Sequence, residues 1–141
     1  MKSVAYLLLL FAVLGCKKEK SNKQPDKQSE IRAKLQGKWQ LTRQEDEIWQ
    51  PVDVLVVKED NPVSAGDSAI FTNTEIYAYT DTPNGVDEEV YPLVFANDST
   101  LLIDDEPFII QKLTDKELIL YYVELDLTDN RKDVTRNTLT R

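Results

Sequence analysis

The chain has 141 residues, with 25 acidic against 17 basic, a net charge of −8, no histidine and one cysteine. Ser–His and Cys–His nucleophile pairs are therefore excluded, as are the common zinc sites built from His and several Cys. The acidic balance argues against nucleic acid as a partner, because its phosphates would be repelled, and the length fits one domain able to bury a core without disulfides.

The chain opens on Met1-Lys2-Ser3, an apolar run over residues 4–13, and Leu14-Gly15-Cys16. A basic start, a short apolar run and a small residue before a cut site describe a secretory signal. The run is too short to span a bilayer, which takes about 20 apolar residues. Residues 1–15 are thus expected to be a signal peptide. Val13-Leu14-Gly15-Cys16 resembles the lipobox of bacterial lipoproteins, with Val13 where Leu is usual. That resemblance implies cleavage before Cys16 and a thioether-linked diacylglycerol on its sulfur, carrying acyl chains such as palmitate. The lone cysteine, otherwise odd in a secreted chain, is then accounted for. Each buried methylene contributes about 0.8 kcal/mol, so an anchor of two or three chains holds permanently. Lys17 after the anchor, rather than Asp, is compatible under the family's sorting rule with the outer membrane of the cell envelope.

Without residues 1–15 the chain keeps 16 basic and 25 acidic residues, a net of −9. Residues 16–28 are expected to be the lipid anchor and a disordered basic tether: five Lys stand against Glu19 and Asp26, with almost nothing apolar. The tether reads as solvated chain, with contact to anionic head groups the alternative.

The folded domain is expected over residues 29–141. Ser29 is placed to N-cap a two-turn helix, with Glu30 in its first turn, Ile31 and Leu35 on one face, and Gly37 as its stop. The period then changes to two. Trp39, Leu41 and Arg43 alternate with Gln40 and Thr42 as in a strand. Residues 48–57, interrupted by Pro51, read as an edge strand or a broken one. Asn61-Pro62 and Ala65-Gly66 mark a loop. Residues 68–71 and 75–80 suggest a hairpin around Asn73, and Pro83-Asn84-Gly85 a tight turn. Strands follow at 90–96, 100–103, 107–113, 117–127 and 134–141, separated by Asn97-Asp98, Asp104-Asp105-Glu106, Asp115-Lys116 and a polar loop.

Eight or nine short strands in sequence order, with no helix between them, point to an all-β chain. An eight-stranded antiparallel up-and-down barrel behind a short N-terminal helix is the favoured reading; a β-sandwich is the alternative. Ile119, Tyr121, Val123, Leu125 and Leu127 form one continuous apolar face of their strand and are expected to point inward.

The segment Leu35-Gln36-Gly37-Lys38-Trp39-Gln40-Leu41 resembles the Gly-x-Trp opening of lipocalins and lipocalin-like bacterial lipoproteins. Asp67-Ser68-Ala69-Ile70-Phe71 followed by Tyr77-Ala78-Tyr79 resembles that family's strand-turn-strand. Leu113-Thr114-Asp115-Lys116-Glu117-Leu118 resembles a later hairpin, and Thr138-Leu139-Thr140-Arg141 the closing strand. The resemblance spans residues 29–141. It implies a calycin-type barrel closed at one end by the helix, Gly37 and Trp39, with an Arg of the last strand packed across the indole. Arg141 is the first candidate for that Arg and Arg136 the second.

Two functions follow as expectations. The first is a membrane-anchored, non-enzymatic, monomeric binding lipoprotein, holding a small apolar or amphipathic ligand. Phe71, Tyr77, Tyr79, Tyr91 and Phe95 are its candidate contacts, because Tyr joins an apolar body to a hydrogen-bonding tip; core filling is the competing role. The second is an acidic envelope lipoprotein that binds or inhibits a basic protein partner. No cofactor is expected. The clusters Glu45-Asp46-Glu47, Asp87-Glu88-Glu89 and Asp104-Asp105-Glu106 are read as solvated turns rather than calcium sites, because none has EF-hand spacing.

Overall fold

A computed structural model describes residues 26–141 of the chain. The signal segment, Cys16 and the tether as far as residue 25 lie outside the described residues. The first element is helix α1 (Lys27–Leu35). It begins earlier than the sequence suggests: Asp26 holds the cap position without a side-chain cap, and the Ser29 N–H donates to the Asp26 carbonyl at 2.7 Å. Ser29 is therefore inside the first turn and not the cap. A nine-residue helix is marginal alone. Here Leu35, 1% exposed, and Ile31 dock it on the core.

Nine strands follow: β1 (Gly37–Trp49), β2 (Leu55–Asn61), β3 (Ser68–Phe71), β4 (Glu75–Thr82), β5 (Gly85–Phe95), β6 (Thr100–Ile103), β7 (Glu106–Leu113), β8 (Glu117–Asp126) and β9 (Arg131–Thr140). All pairings are antiparallel. The sheet runs β1-β3-β4-β5-β6-β7-β8-β9, and β9 returns to β1. Closure of this eight-stranded ring excludes the sandwich.

β1 makes the closure possible because it is long. Its first residues pair with β3, and residues 40–49 pair with β9 on the other edge. β2 lies outside the ring, paired only with the far half of β1. α1 covers the end where β1 starts; the other end is the mouth. The turn between β6 and β7 uses Asp104 (φ 52°) and Asp105 (φ 67°), the positive angles that a tight two-residue hairpin needs.

The core gathers residues from around the ring: Trp39, Phe71, Ile76, Leu93, Leu101, Leu118, Leu120 and Leu139. Their shared face is the barrel interior. On β8 this corrects the expected orientation. Leu118 and Leu120 point inward and are buried, while Ile119, Tyr121 and Val123 lie on the outer wall and Leu125 is exposed. Cross-strand pairing decides it, since Leu118 sits opposite buried Leu139. Pairing irregularities between Leu41 and Arg43 and between Ile110 and Lys112 shift the alternation along β1 and β7.

The acidic clusters also differ from expectation. Glu45-Asp46-Glu47 lies within β1 and Asp87-Glu88-Glu89 within β5; only Asp104-Asp105 forms a turn.

Candidate functional site

The helix-covered end is built for closure. Trp39 is fully buried, and its Nε1 donates to the Leu35 carbonyl at 2.7 Å. The Arg141 guanidinium lies 4.0 Å from the indole centroid. Its Nη2 also donates to the carbonyls of Lys34, at 2.7 Å, and Gln36. Gly37 begins β1 at φ +108°, an angle that L side chains rarely adopt. Arg32 covers Phe95 at 4.1 Å in the same region. Arg136 stands elsewhere, on the outer wall.

The mouth is different. β6 and β7 pair over only four positions, so the barrel wall is low there. Behind this low wall a pocket of about 440 Å³ is lined by Tyr91, Ile103, Asp104, Glu106, Phe108 and Tyr122. Small-molecule clefts commonly hold about 300–1,000 Å³. Phe108 and Tyr122 are paired across β7 and β8, with ring centroids 5.4 Å apart and planes tilted by 33°. The Tyr122 hydroxyl donates to Glu106 Oε2 at 3.1 Å, and the Tyr91 hydroxyl donates to Glu89 Oε2. These bonds, with partial burial and nearby carboxylates, raise both phenol pKa values above the ordinary range. The tyrosines thus stay protonated donors, and their rings face an apolar floor.

The candidate aromatics divide three ways. Phe71 and Phe95 are buried in the closed core. Tyr77 and Tyr79 lie on the outer wall, because they alternate with inward Ile76 and Ala78; Tyr77 donates to Glu75 there at 2.9 Å. Tyr91 alone of the five lines the pocket. The sequence reading missed Ile103, Phe108 and Tyr122. Continuing the alternation from Leu118 and Leu120 to Tyr122 would have found the last.

The outer wall carries an ion network across β2, β1 and β9. Glu45 and Glu47 are buried despite facing outward. Lys58 Nζ lies 3.3 Å from Glu45 and 3.0 Å from Glu47, and Arg136 lies 3.4 Å from Glu47. Arg43 joins Glu45 at 3.2 Å and Asp60 at 2.8 Å. The Lys58 hydrogen bond holds the Glu47 carboxyl below the ordinary carboxylate range. These acids are paired, so they are not the solvated turn residues the sequence suggested. A depression of about 420 Å³ beside them includes Trp49, Tyr121, Val123 and Lys132, with Lys132 Nζ 4.1 Å above the Trp49 ring. Among the described residues no group of His, Cys, Asp or Glu is arranged to hold a metal ion. No helix among them is long and apolar enough to cross a membrane.

No protein-family model matches the sequence, and no curated protein does. Solved structures do resemble the fold. Apocrustacyanin C1 is similar with a TM-score of 0.54 at 14% identity, over 81% of this chain and 64% of that one. Lobster apocrustacyanin A1 gives a TM-score of 0.50 at 14% identity, with the same coverage. Bovine odorant-binding protein, solved with a selenium-containing odorant, gives 0.44 at 13% identity, over 76% and 73%. This chain thus spans about 64% of the length of the apocrustacyanin chains. At these identities the likeness concerns the fold, which is a lipocalin-like barrel.

Proposed function

We propose that this chain is a non-enzymatic binding lipoprotein that holds a small apolar or amphipathic molecule in the mouth of its barrel. One observation carries the reading: a closed ring of strands with a solid core at one end and, at the other, an aromatic-lined pocket of about 440 Å³. Such a pocket buries apolar surface, and each Å² removed from water contributes about 25 cal/mol. The polar groups at its edge would orient the guest. The lack of histidine, and of cysteine beyond Cys16, supports binding without catalysis. The lipobox-like segment supports a lipid anchor at Cys16, and Lys17 supports the outer membrane as its place.

Titration with a solvatochromic apolar dye tests the binding. Saturable enhancement in the parent protein, weakened by Phe108→Ala with the fold intact by circular dichroism, is the expected result. Equal enhancement in both would remove the pocket from the reading. Native mass spectrometry of protein from its own host would then show the natural guest. Radiolabelled palmitate incorporation, lost in Cys16→Ser, tests the anchor.

A further inference from the structure

We infer that the pocket selects an amphiphile whose head group is an organic ammonium rather than a carboxylate or a neutral alcohol. The inference rests on the binding function proposed above and names its ligand class. Three surfaces of the pocket, Tyr91, Phe108 and Tyr122, are aromatic. Aromatic faces attract cations, and the attraction strengthens where water is excluded. The tilted Phe108–Tyr122 pair, 5.4 Å between centroids, presents ring surface on one side, and Tyr91 comes from β5 on the other.

The charged residues that line the pocket have one sign. Asp104 and Glu106 line the pocket. Glu89 holds the Tyr91 hydroxyl, and Glu124 follows Tyr122 on the same inward-facing alternation. No Lys or Arg lies among the lining residues. Between Lys58 and Lys112 the sequence has no basic residue at all, so β3, β4, β5 and β6 supply none. The contrast with the outer wall is sharp: there Glu45 and Glu47 are matched by Lys58, Arg43 and Arg136.

The hydroxyl chemistry agrees. Both tyrosine hydroxyls donate hydrogen bonds to carboxylates, so the phenol oxygens are left to a guest as acceptors. An ammonium brings donors and positive charge, and answers both. A carboxylate guest would meet like charge in the lining; Arg131, the cation on the same alternation of β9, is held by Asp133 at 2.7 Å.

The test uses the folded protein and three probes of one chain length, decylamine, decanol and decanoate, each below its aggregation concentration at pH 7. Displacement of a pre-bound dye gives their affinities. Decylamine is expected to bind about tenfold more tightly than decanol, the effect of a desolvated cation–π contact with charge attraction. Decanoate is expected to bind more weakly than either. Glu89→Gln/Glu106→Gln replaces exposed carboxylates and should bring the ratio of decylamine to decanol affinity down to about one. Decanol binding as tightly as decylamine overturns the charge selection and leaves the binding function standing. A preference unchanged in the double variant overturns the assignment to these carboxylates. Binding of none of the three overturns the pocket function itself, and this inference with it.

Discussion

The Arg141 guanidinium stacks 4.0 Å from the Trp39 indole and donates to two carbonyls at the end of α1, so one side chain ties the last strand, the first strand and the helix together. Arg141→Ala removes the stack and leaves the Lys34 and Gln36 carbonyls without that donor. A loss of about 2 kcal/mol is expected from the combined terms. Arg141→Lys should recover only part of it, because an ammonium lacks the planar fork. Urea unfolding midpoints of the three proteins check this; a lysine variant as stable as the parent would show that charge alone matters.

Gly37 precedes this closure, and its constraint is the backbone. An added Cβ would meet nothing closer than Arg141 Nη2 at 3.7 Å, which is ordinary contact. The φ of +108° is the obstacle. Gly37→Ala should therefore cost about 1–3 kcal/mol. The Arg141→Ala background separates the two explanations. If the cost of Gly37→Ala persists there, strain is its source; if it vanishes, the side-chain contact is.

Much of the barrel was legible in the sequence because turn chemistry is local. Pro83-Asn84-Gly85 and Asp104-Asp105 sit at hairpins, and Trp39 alternates as an inward residue should. Inward and outward faces were harder to read. β8 is apolar on both sides, since Tyr121 and Val123 cover the outer wall as Leu118 and Leu120 fill the core. Tyr77 and Tyr79 look like pocket aromatics until Ile76, paired with Phe71, fixes the register. Glu45 and Glu47 look solvated because their partners, Lys58 and Arg136, are distant in sequence. Long-range pairing decides each case, and no local pattern carries it.

The outer-wall network gives the protein a dependence on acid. In the folded state Lys58, with help from Trp49 and Arg136, lowers the Glu47 pKa below its ordinary 4.5. A depressed carboxyl contributes stability that is fully present above its unfolded value. That contribution is lost as the pH falls through the folded value. Stability should thus fall below about pH 4.5 more steeply in the parent than in Glu47→Gln. Lys58, raised by Glu47 and Glu45, acts in the opposite sense at high pH: its contribution fades as the pH rises through its folded value. Melting temperatures from pH 3 to 7 in low salt read the acid limb; parallel curves for parent and variant would remove Glu47 from it.

The two sides of the barrel wall should respond differently to the same change in a tyrosine. Tyr122→Ala strips the pocket of a ring that faces Phe108, so dye binding should weaken about tenfold. Tyr79→Ala alters the outer wall and should leave the affinity unchanged. Equal losses would mean that the dye binds outside the barrel.

The interior register of β8 has its own test. Leu118 is fully buried in the core, whereas Ile119 beside it is half-buried on the outer wall. Leu118→Ala removes methylenes from a packed interior and leaves a cavity, at a cost of about 2–5 kcal/mol. Ile119→Ala removes as much carbon from a face that water already reaches, so about 1 kcal/mol is expected. Aspartate sharpens the contrast. Leu120→Asp places a carboxylate among Phe108, Ile110 and Leu118 with no cation to pair it, and should prevent folding. Val123→Asp puts the same group on the outer wall beside Lys132 and Arg136, which can pair with it. Circular dichroism and chemical denaturation of the four variants distinguish the faces. If Val123→Asp unfolds the protein while Leu120→Asp is tolerated, the assignment of inner and outer sides is reversed.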